Sequence, residues 1–279
     1  MYKVLYNKKI NSNSYEMAIV APNVVEKCMP GQFVLVMAKE DSERIPLTIY
    51  DYDREKSILY IIYQIVGAST MELSVVKDEM FSVSGPLGNA NEICKNPSEY
   101  KDKRIVYVAG GVGIAPVYPQ VKYLKDKGIK VDVIYGARSK DLLLIQDKIE
   151  EVANNVYYVT DDGSLGDKGF VTNVLKKNID NYDICVTIGP VIMMKNVSLL
   201  TKKYNIKTIV SMNPLMVDGS GMCGACRCKV DGKMRFACTE GPEFDGHKVD
   251  FDLVLKRLGT YKEEEKEKLE EMENLLKKD

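Results

Sequence analysis

Residues 217–246 read VDGSGMCGACRCKVDGKMRFACTEGPEFDG and hold four of the chain's seven cysteines: Cys223, Cys226, Cys228 and Cys238. Plant-type iron–sulfur loops space their ligands as C-x4-C-x2-C with a more distant fourth cysteine. Asp218, Cys223 and Cys226 fall on that spacing, with a carboxylate in the first slot. Cys238 follows Cys226 after eleven intervening residues and takes the distant slot. Glycines at 219, 221 and 224 let the backbone wrap closely round a compact cluster. The reading is a 2Fe-2S site. A zinc knuckle built from Cys223, Cys226 or Cys228, and Cys238 is the main alternative, because zinc also takes tetrahedral thiolate sets. Redox-active C-x-x-C chemistry and a disulfide staple are the others.

The rest of the chain is organised around that loop. Its 279 residues suffice for two domains of ordinary size and a small appendage. With 45% apolar and 28% charged residues and a net charge of −1, the composition carries no footprint of nucleic acid or of an anionic membrane as partner. The apolar runs are too short to span a bilayer, and the N-terminal residues lack the pattern of a secretory signal. Four thiols in one loop, with Cys28, Cys94 and Cys185 scattered singly, suit a reducing compartment, so a cytoplasmic protein is expected. The single histidine, His247, lies between Gly246 and Lys248 and reads as a solvated side chain.

Residues 1–98 read as short strands at 2–6, 15–20, 32–37, 47–50, 58–66 and 80–83. Pro22, Pro30-Gly31, 51–56 and Gly85-Pro86 punctuate them, which suggests a small antiparallel barrel. The one helix expected here is 71–76, with Ser69 or Thr70 as its cap and free amides at its start. Residues 99–211 change rhythm. Apolar runs at 105–109, 131–135, 156–160, 184–188 and 208–211 alternate with helical stretches at 116–127, 142–152, 171–177 and 193–204, which argues a parallel sheet covered on both faces. Glycine loops follow the strands: Gly110-Gly111-Val112-Gly113, Gly136-Ala137-Arg138, Asp161-Asp162-Gly163 and Gly189-Pro190. One such loop is ordinary turn chemistry. Four on one edge, at the carboxyl ends of the strands, indicate a dinucleotide site. The cluster unit is expected at 212–250, and a helical tail at 251–279 carries a narrow stripe of Leu269, Met272, Leu275 and Leu276. That stripe reads as a helix docked on its own domain, with a partner-docking helix as the alternative.

A barrel, a nucleotide sheet and a 2Fe-2S loop in that order resemble the ferredoxin–NADP reductase superfamily. The resemblance runs from ERIPLT at 43–48 to FDGHKVD at 244–250. Within the superfamily the chain resembles the branch of dihydroorotate dehydrogenase B electron-transfer subunits. It resembles still more the small subunits of NADH-dependent reduced ferredoxin:NADP oxidoreductase, also known as the beta subunit of sulfide dehydrogenase. In these last an aspartate replaces the first cysteine. The resemblance implies that Asp218, Cys223, Cys226 and Cys238 hold the cluster and that Cys228 does not.

For FAD it implies Arg44, one place earlier than the family's arginine, then Pro46, Leu47 and Thr48, the last near the flavin N5. Ile62, Tyr63 and Gln64 would line the flavin, and Gly67, Ser69 and Thr70 would bind its pyrophosphate. For the nicotinamide nucleotide it implies Gly110, Gly111 and Gly113 at the pyrophosphate, Arg138, Asp161 and Asp162 about the ribose, and Gly189 and Pro190 at the nicotinamide end. Arg138 with Lys140 leans toward NADP(H) on residue chemistry, whereas the resemblance implies NAD(H). A nicotinamide moves two electrons as hydride and an iron–sulfur cluster takes one, so a flavin belongs between them. No residue set stands out for acid–base or nucleophilic catalysis. No second cluster motif is visible, so electrons are expected to leave through another polypeptide. The resemblance implies a larger flavin and 4Fe-4S subunit in a heterodimer, with ferredoxin and NADP(H) handled there by electron bifurcation. The alternatives are the electron-transfer subunit of dihydroorotate dehydrogenase or of sulfide dehydrogenase, and a non-enzymatic module with structural zinc.

Overall fold

The computed structural model describes residues 1–276. Seven antiparallel strands form the first sheet: β1 (Tyr2–Lys9), β2 (Ser14–Val20), β3 (Phe33–Met37), β4 (Ile45–Asp53), β5 (Ile58–Gln64), β6 (Glu79–Met80) and β7 (Ser82–Leu87). Their order, β6-β1-β2-β5-β4-β3-β7, curls into a nearly closed barrel. The period of two along each strand divides two cores. Met17, Ile19, Ile49, Ile61 and Tyr63 fill the barrel, while Tyr50 and Ile62 point outward into the core of the next domain. Short helices α1 (Pro22–Val25) and α2 (Ala68–Ser74) plug the barrel, and α3 (Glu92–Lys95) lies in the linker that follows.

The second sheet collects β8 (Ile105–Gly110), β9 (Val131–Ala137), β10 (Asn155–Thr160), β11 (Asp167–Lys168), β12 (Ile184–Ile188) and β13 (Lys207–Ser211), all parallel. Helices α4 (Ile114–Asp126) and α5 (Gln146–Val152) lie with one core cluster; α6 (Val171–Lys177) and α7 (Val191–Lys203) lie with another. Its order is β11-β10-β9-β8-β12-β13, so the winding reverses between β8 and β12. Helix α4 also packs on β4, where Lys122 Nζ meets both Asp51 carboxylate oxygens at 2.9 and 3.0 Å beside a Tyr50–Tyr118 ring pair. Barrel and nucleotide sheet are thereby fastened along one face.

The cluster unit adds a hairpin of β14 (Arg227–Val230) and β15 (Lys233–Phe236), then β16 (Glu243–Asp245). The sequence pattern suggested a parallel sheet, which β8–β13 form. The structure adds β16 antiparallel to β13, pairing Ile209 with Asp245 and Ser211 with Glu243. A three-residue strand beyond a cysteine loop carries too little pattern to be read from sequence. The chain ends with α8 (Phe251–Leu258) and α9 (Lys262–Leu276). The tail helix returns to the barrel and packs on α2, with Leu269 and Met272 half-buried and Leu275 58% exposed. The Leu276 side chain and residues 277–279 lie outside the described residues. Among the described residues no helix is long and apolar enough to cross a membrane.

Candidate functional site

In the cluster loop, Gly219, Gly221 and Gly224 all have positive φ, +70°, +85° and +67°, so the tight path needs glycine there. Asp218 Oδ1 accepts from Ser220 N at 2.8 Å and Oδ2 from Cys223 N at 3.0 Å. These bonds hold the Asp218 carboxyl below its ordinary pKa. Cys226 Sγ and Cys238 Sγ are 3.1 Å apart and both are free thiols. Burial and the facing Cys226 thiol push the Cys238 thiol up to about 11. The loop brings Asp218 to the Cys223 amide and Cys226 Sγ to Cys238 Sγ. That arrangement fits a two-iron cluster with two protein ligands for each metal.

Cys228 is different. It lies on β14, fully buried, and donates to Cys226 O at 3.8 Å, with burial pushing its thiol up to about 12. Arg257, on the last turn of α8, donates to Ala225 O at 3.0 Å and brings a cation beside the loop. The sequence reading did not single it out; its signal was a basic residue closing a strongly amphipathic helix.

The loop sits directly on the barrel. A Cβ on Gly219 would meet Leu35 Cδ1 at 2.8 Å and Leu87 Cδ1 at 2.9 Å. Phe33 and Leu35 share one apolar cluster with Cys226 and Cys238. On β4, Thr48 pairs with Phe33 and Pro46 with Leu35, so both stand on this face. Leu47 turns inward and packs on the barrel core. Arg44 is exposed just before β4, its Nε 3.4 Å from Met37 Sδ. On β5, Ile62 and Gln64 face away from the barrel interior. Tyr63 does not join them: it is buried inside, donating to Asn7 Oδ1 at 2.9 Å. Strand alternation forbids three consecutive side chains from lining one ligand.

Helix α2 begins three residues earlier than its sequence suggested. Gly67 is the N-cap, and Thr70 sits at the third helical position with Oγ1 accepting from Val66 N (3.0 Å) and Gly67 N (3.1 Å). Thr70 therefore closes a capping box from inside instead of serving as the cap. Ser69 donates to Glu43 Oε2 at 2.7 Å, and Glu43 pairs with Lys268 of α9 at 3.6 Å. Glu43 thus occupies the Ser69 hydroxyl.

The four glycine loops come together in two groups. Gly110 ends β8, Gly111 (φ +54°) and Gly113 shape the turn, and α4 starts immediately after. A Cβ on Gly189 would lie 3.0 Å from both N and O of Gly110, so the Gly189-Pro190 loop is packed against this turn. Both loops stand at the reversal between β8 and β12, where open α/β sheets bind nucleotides. The second group joins Arg138 O to Asp162 N at 3.3 Å and Ala137 O to Asp161 N at 3.1 Å. Asp162 Oδ1 accepts from Ser164 N and Oγ at 2.9 and 2.6 Å, which lowers its pKa and keeps it ionised. His247, expected to be solvated, is half-buried with Nε2 3.0 Å from Thr201 Oγ1. Burial lowers its pKa.

The comparisons with known proteins bear on the same regions. Residues 107–198 match the oxidoreductase NAD-binding domain model, and residues 213–250 match the iron–sulfur cluster binding domain of dihydroorotate dehydrogenase B. A Clostridium beijerinckii protein described by its place in the adh 3′ region is 48% identical, over 95% of this chain and 92% of its own. A Thermotoga maritima homologue of the dihydroorotate dehydrogenase B (NAD(+)) electron transfer subunit is 43% identical, over 95% of this chain and 93% of its own. The chain belongs to the dihydroorotate dehydrogenase B electron-transfer subunit family. A solved structure of the NADH-dependent reduced ferredoxin-NADP oxidoreductase, concerned with flavin-based electron bifurcation, superposes with a TM-score of 0.90 at 40% identity. The match covers 97% of each chain. As a member of this ferredoxin reductase-like family, the chain is an oxidoreductase subunit of the electron-transfer kind. Its three sites fit the family's cofactor set of FAD, a 2Fe-2S cluster and NAD(H).

Proposed function

We propose that the chain passes electrons between NAD(H), FAD and its 2Fe-2S cluster to a larger partner carrying flavin and 4Fe-4S centres, in an NADH-dependent ferredoxin:NADP oxidoreductase that bifurcates electrons. The observation that carries this reading is the seating of the cluster loop on β3 and β7, beside the Pro46 and Thr48 face of the barrel. When bound, the flavin supplies the exchange between hydride and single-electron chemistry. The chain's own residues do the positioning. Asp218, Cys223, Cys226 and Cys238 hold the irons. Pro46, Thr48, Ile62 and Gln64 present the outer barrel face, with Gly67 and Ser69 receiving the pyrophosphate once Glu43 has moved. Gly110, Gly111 and Gly113 leave room for the nucleotide pyrophosphate at the start of α4, and Gly189 and Pro190 frame the nicotinamide end. Phe33, Leu35 and Leu87 pack under the loop with Cys226 and Cys238, and would keep water from the space between a bound flavin and the cluster.

Asp161 and Asp162 favour NAD(H). An ionised Asp162 accepts from a ribose hydroxyl and repels a 2′-phosphate, against the exposed cations of Arg138 and Lys140. Flavin reduction is expected to proceed with a kcat/KM on the order of tenfold higher for NADH than for NADPH, and Asp162→Ser to narrow that ratio. Stopped-flow reduction with both nucleotides measures it, and an unchanged ratio in the variant removes Asp162 from the ribose site.

A second reading has its own support, since the Thermotoga maritima relative and the cluster-domain model both carry the dihydroorotate dehydrogenase name. Anaerobic purification from the native host tests both readings: one flavin, two irons and two acid-labile sulfides per chain are expected on the proposed cofactor set. A larger flavin and iron–sulfur protein should accompany the chain. A dihydroorotate-oxidising partner, with dihydroorotate–NAD activity in the complex, would establish the second reading instead. The seven free thiols accord with a cytoplasmic protein.

A further inference from the structure

Two arginines hold the short turn between Cys223 and Cys226. Arg227 Nη1 donates to Gly224 O at 2.9 Å, and Arg257 Nη2 donates to Ala225 O at 3.0 Å. Arg227 follows the turn directly and is exposed, whereas Arg257 comes from 32 residues beyond Ala225 and is half-buried. Helix α8 brings it there. Phe251, Val254, Leu255 and Leu258 recur at helical spacing and pack into the apolar cluster that holds Cys226, Cys228 and Cys238. The start of the helix is fixed as well. Asp250 Oδ1 accepts from Leu253 N at 3.1 Å, and Asp250 N donates to Lys229 O of β14 at 2.9 Å. The guanidinium is therefore delivered to the turn by an element anchored on the strand that leaves Cys226.

Among the described residues Arg257 has no counter-ion. Carboxylates on the neighbouring segments are committed elsewhere: Asp252 to Lys195 at 2.6 Å, Glu240 to Arg235, and Asp250 to the cap of α8. A cation in the last turn of a helix ordinarily offsets that helix's own terminal carbonyls, a part that exposed Lys256 can take. Arg257 instead places its donor on a loop carbonyl. These bonds also set which way the peptides face, because a trans peptide unit points its C=O and N–H in opposite directions. With Gly224 O turned to Arg227, the N–H of the same unit, at Ala225, meets Cys223 Sγ at 3.5 Å. With Ala225 O turned to Arg257, the Cys226 N–H faces away from α8. Amides directed at the ligand sulfurs and a cation beside them both favour added negative charge at an iron–sulfur site.

We propose that Arg257 is a positioning residue for the 2Fe-2S site: its guanidinium pins the Ala225 carbonyl outward and sets an uncompensated positive charge beside the loop, which holds the cluster's reduction potential up. The inference rests on the cluster assigned above. Reduction adds one electron to a site whose four protein ligands are already anionic, and a nearby cation favours that state. The consequence is a cluster more easily reduced than three thiolates and a carboxylate alone would make it.

The test uses the full chain, reconstituted anaerobically with flavin and cluster, and reads the cluster's midpoint potential by EPR-monitored redox titration. Arg257→Met keeps an apolar stem and removes charge and donor. At the parent's midpoint its reduced-to-oxidised ratio should fall about tenfold, a shift of about 59 mV to the negative for a one-electron couple. Arg257→Lys keeps the charge and a donor and should stay within about twofold of the parent, a rescue that a packing role alone would not give. Lys256→Met loses the same charge one residue away and should leave the potential in place, because solvent screens an exposed cation. Where Arg257→Met does not retain its cluster, Arg257→Gln gives the same reading with an amide left to meet Ala225 O. An unshifted potential in the uncharged variants, or equal shifts in Arg257→Lys and Arg257→Met, overturns the inference while the proposed function stands. Loss of the cluster from every variant, Arg257→Lys included, makes Arg257 a structural support only and likewise overturns it. A parent that takes up no 2Fe-2S cluster overturns the proposed function, and this inference with it.

Discussion

Cys238→Ala is expected to purify with its flavin and nucleotide sites intact but with iron and acid-labile sulfide reduced by more than about tenfold, whereas Cys228→Ala keeps the full cluster. The contrast rests on where each sulfur lies. Cys238 faces Cys226 at 3.1 Å and its backbone N donates to Cys226 Sγ at 3.4 Å, so its loss leaves one iron with a single protein ligand. Cys228 lies on β14 among apolar neighbours, its thiol held protonated by burial. Asp218→Ala should fall between the two, because it removes a ligand and also the acceptor for Ser220 N and Cys223 N. Asp218→Asn isolates these roles: it keeps the turn to Ser220 but loses the charge. Iron, sulfide and the EPR spectrum of the reduced protein after anaerobic reconstitution decide the matter. Retention in Asp218→Ala with loss in Cys228→Ala would make Cys228 the fourth ligand and Asp218 a turn residue.

Gly113→Ala is the other large effect. A Cβ there falls within the radius of the Ile188 carbonyl oxygen and 2.9 Å from Gly189 Cα, and these are backbone atoms with nowhere to go. The β8 and β12 loops must separate. The expected cost is about 2–3 kcal/mol of stability, with NADH-dependent flavin reduction slowed on the order of a hundredfold, as for a small misplacement of reacting groups. Gly111 behaves differently, since nothing lies within 4 Å of a Cβ there and its φ is +54°. Asparagine tolerates that conformation, so Gly111→Asn should fold with near-parent stability while raising the KM for NADH by intruding on the nucleotide. Denaturant titration and stopped-flow kinetics separate the two glycines, and equal behaviour in both assays would contradict this account.

Those two glycines look alike in sequence, which marks the limit of what local pattern reveals. The cluster loop was legible because ligand spacing is local, and so was the nucleotide sheet, because buried parallel strands such as 184–188 are continuous apolar runs. Strand β5 shows why side-chain facing was not. Ile61 and Tyr63 fill the barrel while Ile62 fills the neighbouring core, so both faces are apolar and alternation cannot say which meets a ligand. Thr70 was misplaced as a cap because a threonine at the third helical position satisfies the same amides from the other side. Glu243, Arg257 and His247 owe their settings to partners far along the chain, Gln120, Ala225 and Thr201, and nothing within a short window announces such pairings.

The borrowed strand β16 has a consequence for how this architecture is inherited. Because β16 lies against β13 with Val210 opposite Phe244, the metal-bearing segment serves as the selvedge of the nucleotide sheet. It is not a cassette that recombination could append to, or strip from, a two-domain reductase at residue 211. A chain cut there would leave the unpaired amides and carbonyls of β13 open to any extended peptide, the situation in which sheets recruit one another. Loss of the iron module would open that edge of the nucleotide sheet, so the two parts are structurally coupled.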